Sequence, residues 1–412
     1  MTSAGHASRF SRRQLLRSAG ALAALGAAPG FLGRALAAST PGSGKTLVLV
    51  FLRGGADGLS IVPPVGDPAY RAARPTLALA PPGKDGGGLR LDDVFALHPA
   101  LAPLLPLWSD GTLGIVHAAG LPGATRSHFD AQDFCESGTP GTKSTGDGWL
   151  NRAVQRALGP DGAFRVVAVQ PTLPRMLVGD APAVAMSSLG QFRLPGGPGG
   201  SNAFDALYAQ AVDTALRTTG LETFEALREA GSARLAQLPP ANGAEYGGAP
   251  ICRRLQDIAR LIRSGVGLQV AATDMGGWDT HVGEGAEKGQ LAARLSELGG
   301  ALAAFARDLG ARWADTRVVV MTEFGRTARE NGNRGTDHGT ASVMLVLGGG
   351  VRGGRVVGGY RGLARSELFE ERDLAIGTDV RSVLWEAARD QLALRDASTV
   401  FPGFSPGSPV LG

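Results

Sequence analysis

Six short apolar runs, separated by amphipathic stretches, constrain this chain more than any other feature. The runs are Thr46–Leu52, Leu113–His117, Val166–Gln170, Leu268–Thr273, Arg317–Thr322 and Ser342–Leu347. Between and beyond them, Phe204–Leu216, Leu221–Leu238, Ile251–Ser264, Lys288–Leu309 and Val380–Leu394 carry apolar residues at three-to-four spacing and read as helices. Strands alternating with helices predict an α/β fold whose mostly parallel sheet is sandwiched by helices. The unbroken apolar character of 46–52 and 317–322 predicts strands buried on both faces. Pro195-Gly196-Gly197-Pro198-Gly199-Gly200 reads as a linker that introduces a helical insertion or cap over about 195–245.

The front of the chain carries a different kind of signal. Ser11-Arg12-Arg13-Gln14-Leu15-Leu16 has the twin-arginine export pattern, followed by Ala/Gly/Leu-rich residues 18–33 and a small-residue cleavage site, Ala35-Leu36-Ala37. Residues 1–37 are therefore expected to be a signal peptide read by the twin-arginine export machinery, leaving a mature chain of residues 38–412 in the periplasm or outside the cell. Gly, Pro and Arg34 interrupt its apolar part, so no permanent membrane span is expected. Its five arginines and lack of acids account for the net charge of +4, which becomes −1 for the mature chain. Charge thus gives no basis for nucleic-acid binding.

Gly42-Ser43-Gly44-Lys45-Thr46 superficially suggests a phosphate-binding loop, but the first required glycine falls at Ser39 and the strand follows the motif instead of preceding it. Cys135 and Cys252 are the only cysteines. They could form one disulfide or stay as two buried thiols, and they exclude a cysteine-based structural zinc site.

In sheets of this kind chemistry collects in loops beyond the carboxyl ends of strands. Four such loops carry acids or histidines: Arg53-Gly54-Gly55-Ala56-Asp57-Gly58, Gly276-Gly277-Trp278-Asp279-Thr280-His281, Thr322-Glu323-Phe324-Gly325-Arg326 and Gly335-Thr336-Asp337-His338-Gly339-Thr340. Together they offer Asp57, Asp279, His281, Glu323, Asp337 and His338 as an oxygen and nitrogen donor set suited to one or two divalent ions, zinc, manganese, magnesium or calcium. Thr125-Arg126-Ser127-His128-Phe129-Asp130 adds a hydroxyl at a helix start. Ser127 is either an N-cap with Asp130 as capping-box acid, or a nucleophile with Arg126 beside it for an anion. His128 could be a metal ligand or a general acid. His98 reads as a structural turn residue, and His117 is open to either role.

These stretches, with Phe51-Leu52-Arg53-Gly54-Gly55-Ala56-Asp57-Gly58-Leu59, resemble the alkaline-phosphatase-like superfamily, which includes sulfatases and cofactor-independent phosphoglycerate mutases. The chain is more closely similar to a bacterial family of twin-arginine-exported proteins within it, known chiefly as a domain of unknown function. The resemblance implies an alkaline-phosphatase-like fold, with Asp57 as first-strand metal ligand, Asp279 and His281 as the mid-chain pair, His338 as the late histidine and Ser127 near the nucleophile position. Three departures stand out. Glu323-Phe324 lacks the histidine usual after the penultimate strand, Asp279 and His281 are closer together than usual, and no Cys-x-Pro-x-Arg signature is present. The expected function is a metal-dependent hydrolase of small anionic phosphate or sulfate esters, with Ser127 attacking and Arg126 or Arg326 holding equatorial oxygens. The alternative is a non-catalytic, metal-stabilised periplasmic binding or assembly protein.

Overall fold

The computed structural model describes residues 44–123, 125–159, 164–191 and 235–411. The expected leader, the helix over 204–216 and all but the last part of the 195–245 insertion lie outside them.

A nine-stranded sheet forms the centre: β1 (Thr46–Leu52), β2 (Leu113–Gly120), β3 (Val166–Val169), β4 (Val184–Met186), β5 (Val270–Met275), β6 (Thr316–Thr322), β7 (Ser342–Gly348), β8 (Val356–Gly358) and β9 (Thr378–Asp379). Their order is β8-β2-β7-β6-β1-β5-β3-β4, with β9 also paired to β2. Every pairing is parallel except those of β7 with β2 and β6. The fold is thus the mostly parallel, helix-covered α/β sheet that the alternating pattern predicts.

β1 shows why. All seven of its residues are buried. Leu47, Leu49 and Phe51 enter one apolar core, while Val48, Val50 and Leu52 enter the other. A strand with both faces covered favours apolar residues, its one polar side chain, Thr46, donating to the Leu268 carbonyl at 2.9 Å, and each large aliphatic side chain so buried is worth about 1.5–3 kcal/mol. The first core is closed by α3 (Trp149–Arg156) and α6 (Val380–Leu392), the second by α4 (Pro250–Ser264) and α5 (Gln290–Leu309). Two further helices matter for the site: α1 (Gly58–Ile61), directly after β1, and α2 (His128–Ser137), after β2.

The topology gathers the loops of interest. β1, β2, β5 and β6 all end at one edge of the sheet, and the reversed β7 begins there. Among the described residues no helix is long and apolar enough to cross a membrane. Cys135 and Cys252 are both buried and free, so the disulfide alternative is not realised.

Candidate metal centre

Asp279 is the hub. Its loop leaves β5 and is anchored by Trp278, fully buried, whose Nε1 donates to the Met275 carbonyl at 2.9 Å. Gly54, at φ 121°, lets the loop after β1 lie against it; a Cβ there would stand 2.8 Å from the Asp279 amide nitrogen. Asp279 Oδ1 is 3.0 Å from His281 Nε2, 3.2 Å from His338 Nε2 and 3.5 Å from His128 Nε2. One oxygen from Asp279 and one nitrogen each from His128 and His338 lie within 4.8 Å of one another and could hold a metal ion. His281 stands beside that group, with its Nε2 2.9 Å from that of His338.

Each imidazole is turned inward by an oxygen on its far side. His128 Nδ1 is 2.9 Å from Glu323 Oε1, His338 Nδ1 is 2.8 Å from the Arg126 carbonyl, and His281 Nδ1 is 3.3 Å from Asp337 Oδ1. A carbonyl can only accept, so His338 carries its proton on Nδ1 and points an Nε2 lone pair at the centre. Carboxylates behind His128 and His281 favour the same tautomer, the arrangement that prepares histidines for metals. His128 Nε2 is buried and has no hydrogen-bond partner. A buried nitrogen without a partner, close to the Asp279 carboxylate and the His338 imidazole, fits a cation. Nitrogen and carboxylate donors without thiolate suit zinc or manganese.

The charges agree with this geometry. Burial would raise the Asp279 carboxyl, but the hydrogen bond and charge of Arg326 outweigh it and hold it below the ordinary range. Burial would likewise raise Glu323; hydrogen bonds from His128 and Gln132 overcome that and keep it ionised. The Glu323 bond in turn raises His128, while burial lowers His338 and keeps it neutral.

Several residues expected at the centre have other partners. Glu323 does not face the centre as a ligand: Oε1 accepts from Gly54 N, His128 and Gln132, and Oε2 from Thr322 Oγ1, so it orients His128. Asp337 similarly stands behind His281 and accepts from Asn331 Nδ2 at 3.1 Å. Asp57 is fully buried, caps α1 through Leu59 N, and binds Ser60 and both terminal nitrogens of Arg74. Its carboxylate is consumed, and it is not part of the metal group.

Neither candidate arginine is free. Arg326 is buried and donates to the carbonyls of Gly54, Gly55, Trp278 and Thr336 as well as to Asp279. Arg126 is held by Glu370 at 2.6 Å and by buried Asp373. Ser127 is the N-cap of α2, exposed, with Oγ accepting from Asp130 N at a long 3.5 Å. His98 caps a 3₁₀ turn through Ala100 N, and His117 is fully buried against the Val62 carbonyl; both are structural.

Sequence reasoning missed Gln132, Arg74, Asn331 and Glu284. Gln132 could have been found, because it lies four residues after His128 on the same helix face. Asn331 and Glu284 reach the histidine loops only through tertiary contacts, and Arg74 is tied in the same way to Asp57.

Two solved structures are similar at low levels. One is the lipoteichoic acid synthase LtaP from Listeria monocytogenes, at 9% identity and TM-score 0.34, covering 76% of this chain and 67% of that one. The other is the C-terminal periplasmic domain of EptC from Escherichia coli in complex with zinc, at 11% identity and TM-score 0.37, covering 89% and 90%. Such values carry no function across. No curated protein matches. A family model described as "Protein of unknown function (DUF1501)" matches residues 108–402. With that match spanning most of its length, the chain belongs to the DUF1501 family.

Proposed function

We propose that the protein is an exported, metal-dependent hydrolase of phosphate or sulfate esters. The observation that carries this reading is the convergence of His128, Asp279 and His338, with His128 Nε2 buried and unpartnered, at the loop edge of the sheet. His128, His281 and His338 would hold a divalent ion through Nε2, with Asp279 as the oxygen donor. When bound, the ion supplies Lewis-acid stabilisation of developing negative charge and lowers the pKa of an attacking hydroxyl.

The chain's own residues do the rest. Ser127 is the nucleophile of this reading. Its cap bond is long and its hydroxyl exposed, so it can turn from Asp130 N at little cost. The N-terminus of α2 presents unpaired amides toward an anion beside it. Glu323, itself held by Gln132, fixes the His128 ring, so that residue serves as ligand and not as general acid. Arg326 holds Asp279 in place from behind. Export rests on the twin-arginine pattern at Arg12-Arg13.

One observation favours the second reading, a metal-stabilised binding or assembly protein without turnover. Both arginines expected to hold substrate oxygens are already committed, Arg126 to Glu370 and Asp373, Arg326 to backbone carbonyls. Elemental analysis of the purified protein, followed by assays on an aryl phosphate and an aryl sulfate, separates the two. Bound metal with turnover that disappears in Ser127→Ala supports the hydrolase. Bound metal without turnover on either ester leaves the binding protein, and a folded protein that cannot be loaded with metal overturns both.

A further inference from the structure

Glu284 is a buried acid that the chemistry above does not use. It lies in the loop between His281 and α5 and is 0% exposed. Its Oε2 accepts from Thr280 Oγ1 at 2.9 Å and from Thr336 Oγ1 at 2.7 Å. Thr280 stands between Asp279 and His281, and Thr336 lies just before Asp337 and His338. One carboxyl group therefore grips both histidine loops from beneath. The loops are also tied directly, Thr336 N donating to the Thr280 carbonyl at 3.2 Å. Gly335 makes this approach possible, since a Cβ there would lie 2.3 Å from the His281 carbonyl group.

Proton counting gives the state of that carboxyl. Ser60 Oγ is 3.0 Å from Asp57 Oδ2 and 3.0 Å from Glu284 Oε1, and it accepts from Arg74 Nη1 at 2.9 Å. A serine hydroxyl has one proton to give. Asp57, ion-paired with Arg74, is ionised and takes it. The contact between Ser60 and Glu284 then requires a proton from Glu284. Burial, together with the Asp57 charge, pushes the Glu284 carboxyl up to about 8, in accord with the count.

We infer that Glu284 is a positioning residue: a buried neutral carboxylic acid that donates to Ser60 and, through its other oxygen, holds Thr280 and Thr336 so that His281 and His338 meet at one cation. The inference rests on the metal-centre reading above and adds what fixes its spacing. Groups that orient ligands in this way typically change metal affinity about 10–100-fold when removed.

The test uses the full chain and zinc alone, with affinity read by competition against a chromophoric chelator. Glu284→Gln keeps a donor for Ser60 and an acceptor for both threonines, and should bind zinc within about twofold of the parent. Glu284→Ala should bind about 10–100-fold more weakly. If Glu284→Ala does not fold, Thr336→Val reports the same contact and should weaken binding in the same direction. Unchanged affinity in the folded alanine or valine variant overturns the inference, as does a Glu284→Gln protein as weak as the alanine one. The ¹⁵N tautomer signals of His281 and His338 in metal-free protein give a second reading. They should be fixed in the parent and averaged in Glu284→Ala, and signals fixed in both overturn the inference even if the parent binds no zinc. A parent that binds zinc but cleaves no ester overturns the hydrolase alone.

Discussion

His128 Nδ1 and Glu323 Oε1 lie 2.9 Å apart, joining a helix-start histidine to an acid 195 residues later in the chain. The Phe324 ring packs against both His128 and His338, with centroids 4.8 and 4.9 Å away. The residue that follows the acid at the end of β6 is thus an aromatic wall for two imidazoles, one of them supplied by α2. Glu323→Gln removes the charge that holds the Nδ1 proton while keeping the shape. Zinc affinity is expected to fall about 10–100-fold with little change in melting temperature, as measured by calorimetric titration and thermal unfolding.

Ser127 separates capping from catalysis. Its cap bond is long and exposed, so Ser127→Ala should cost less than about 1 kcal/mol of stability. Metal content should stay the same, while hydrolysis of an aryl phosphate or sulfate should drop to background. Activity that survives this change would leave Ser127 as a cap alone.

Asp57 and Arg74 form a fully buried ion pair. Arg74→Met would strand the Asp57 charge and should destabilise the fold by about 3–5 kcal/mol in chemical denaturation. Asp57→Asn should also lower stability, yet leave the number of bound metal ions unchanged. A drop in metal stoichiometry would return Asp57 to the ligand set.

His117 provides a pH dependence. Burial lowers it from the ordinary 6.5 to about 4, so the folded protein keeps it neutral where the unfolded chain protonates it. Between these values the unfolded state binds more protons, and stability falls as pH drops from about 6.5 toward 4. With about 1.4 kcal/mol per unit, the loss from this group approaches about 3 kcal/mol. His117→Asn, followed by denaturation at pH 7 and pH 4.5, should flatten that decline.

The strands legible in the sequence are those buried on both faces. β1 has the expected bounds, and β6 begins one residue earlier than expected. β5 is displaced toward its end, running to Met275, because Asp274 belongs to the strand and is held by Arg53 and Arg254. An acid inside a strand looks like a loop until its partners are known. The short edge strands β4, β8 and β9 leave no pattern long enough to read. At the site, residue types in strand-end loops drew notice to Asp279, His281 and His338, of which Asp279 and His338 group with His128. The committed state of Asp57, Glu323, Arg126 and Arg326 was not legible, because it depends on partners brought in by the fold: Arg74, Gln132, the pair Glu370 and Asp373, and a set of carbonyls.

The histidines of the centre come from positions 128, 281 and 338, on segments that lie far apart in the chain and meet at one end of the sheet. No two of them are near neighbours along the chain, so no partly formed segment can present more than one imidazole at the right spacing. Only when β7, antiparallel to its neighbours, has taken its place between β2 and β6 does the last of them arrive. Ion capture would then be a late event, an end-point check that the central strands have all paired in the correct order.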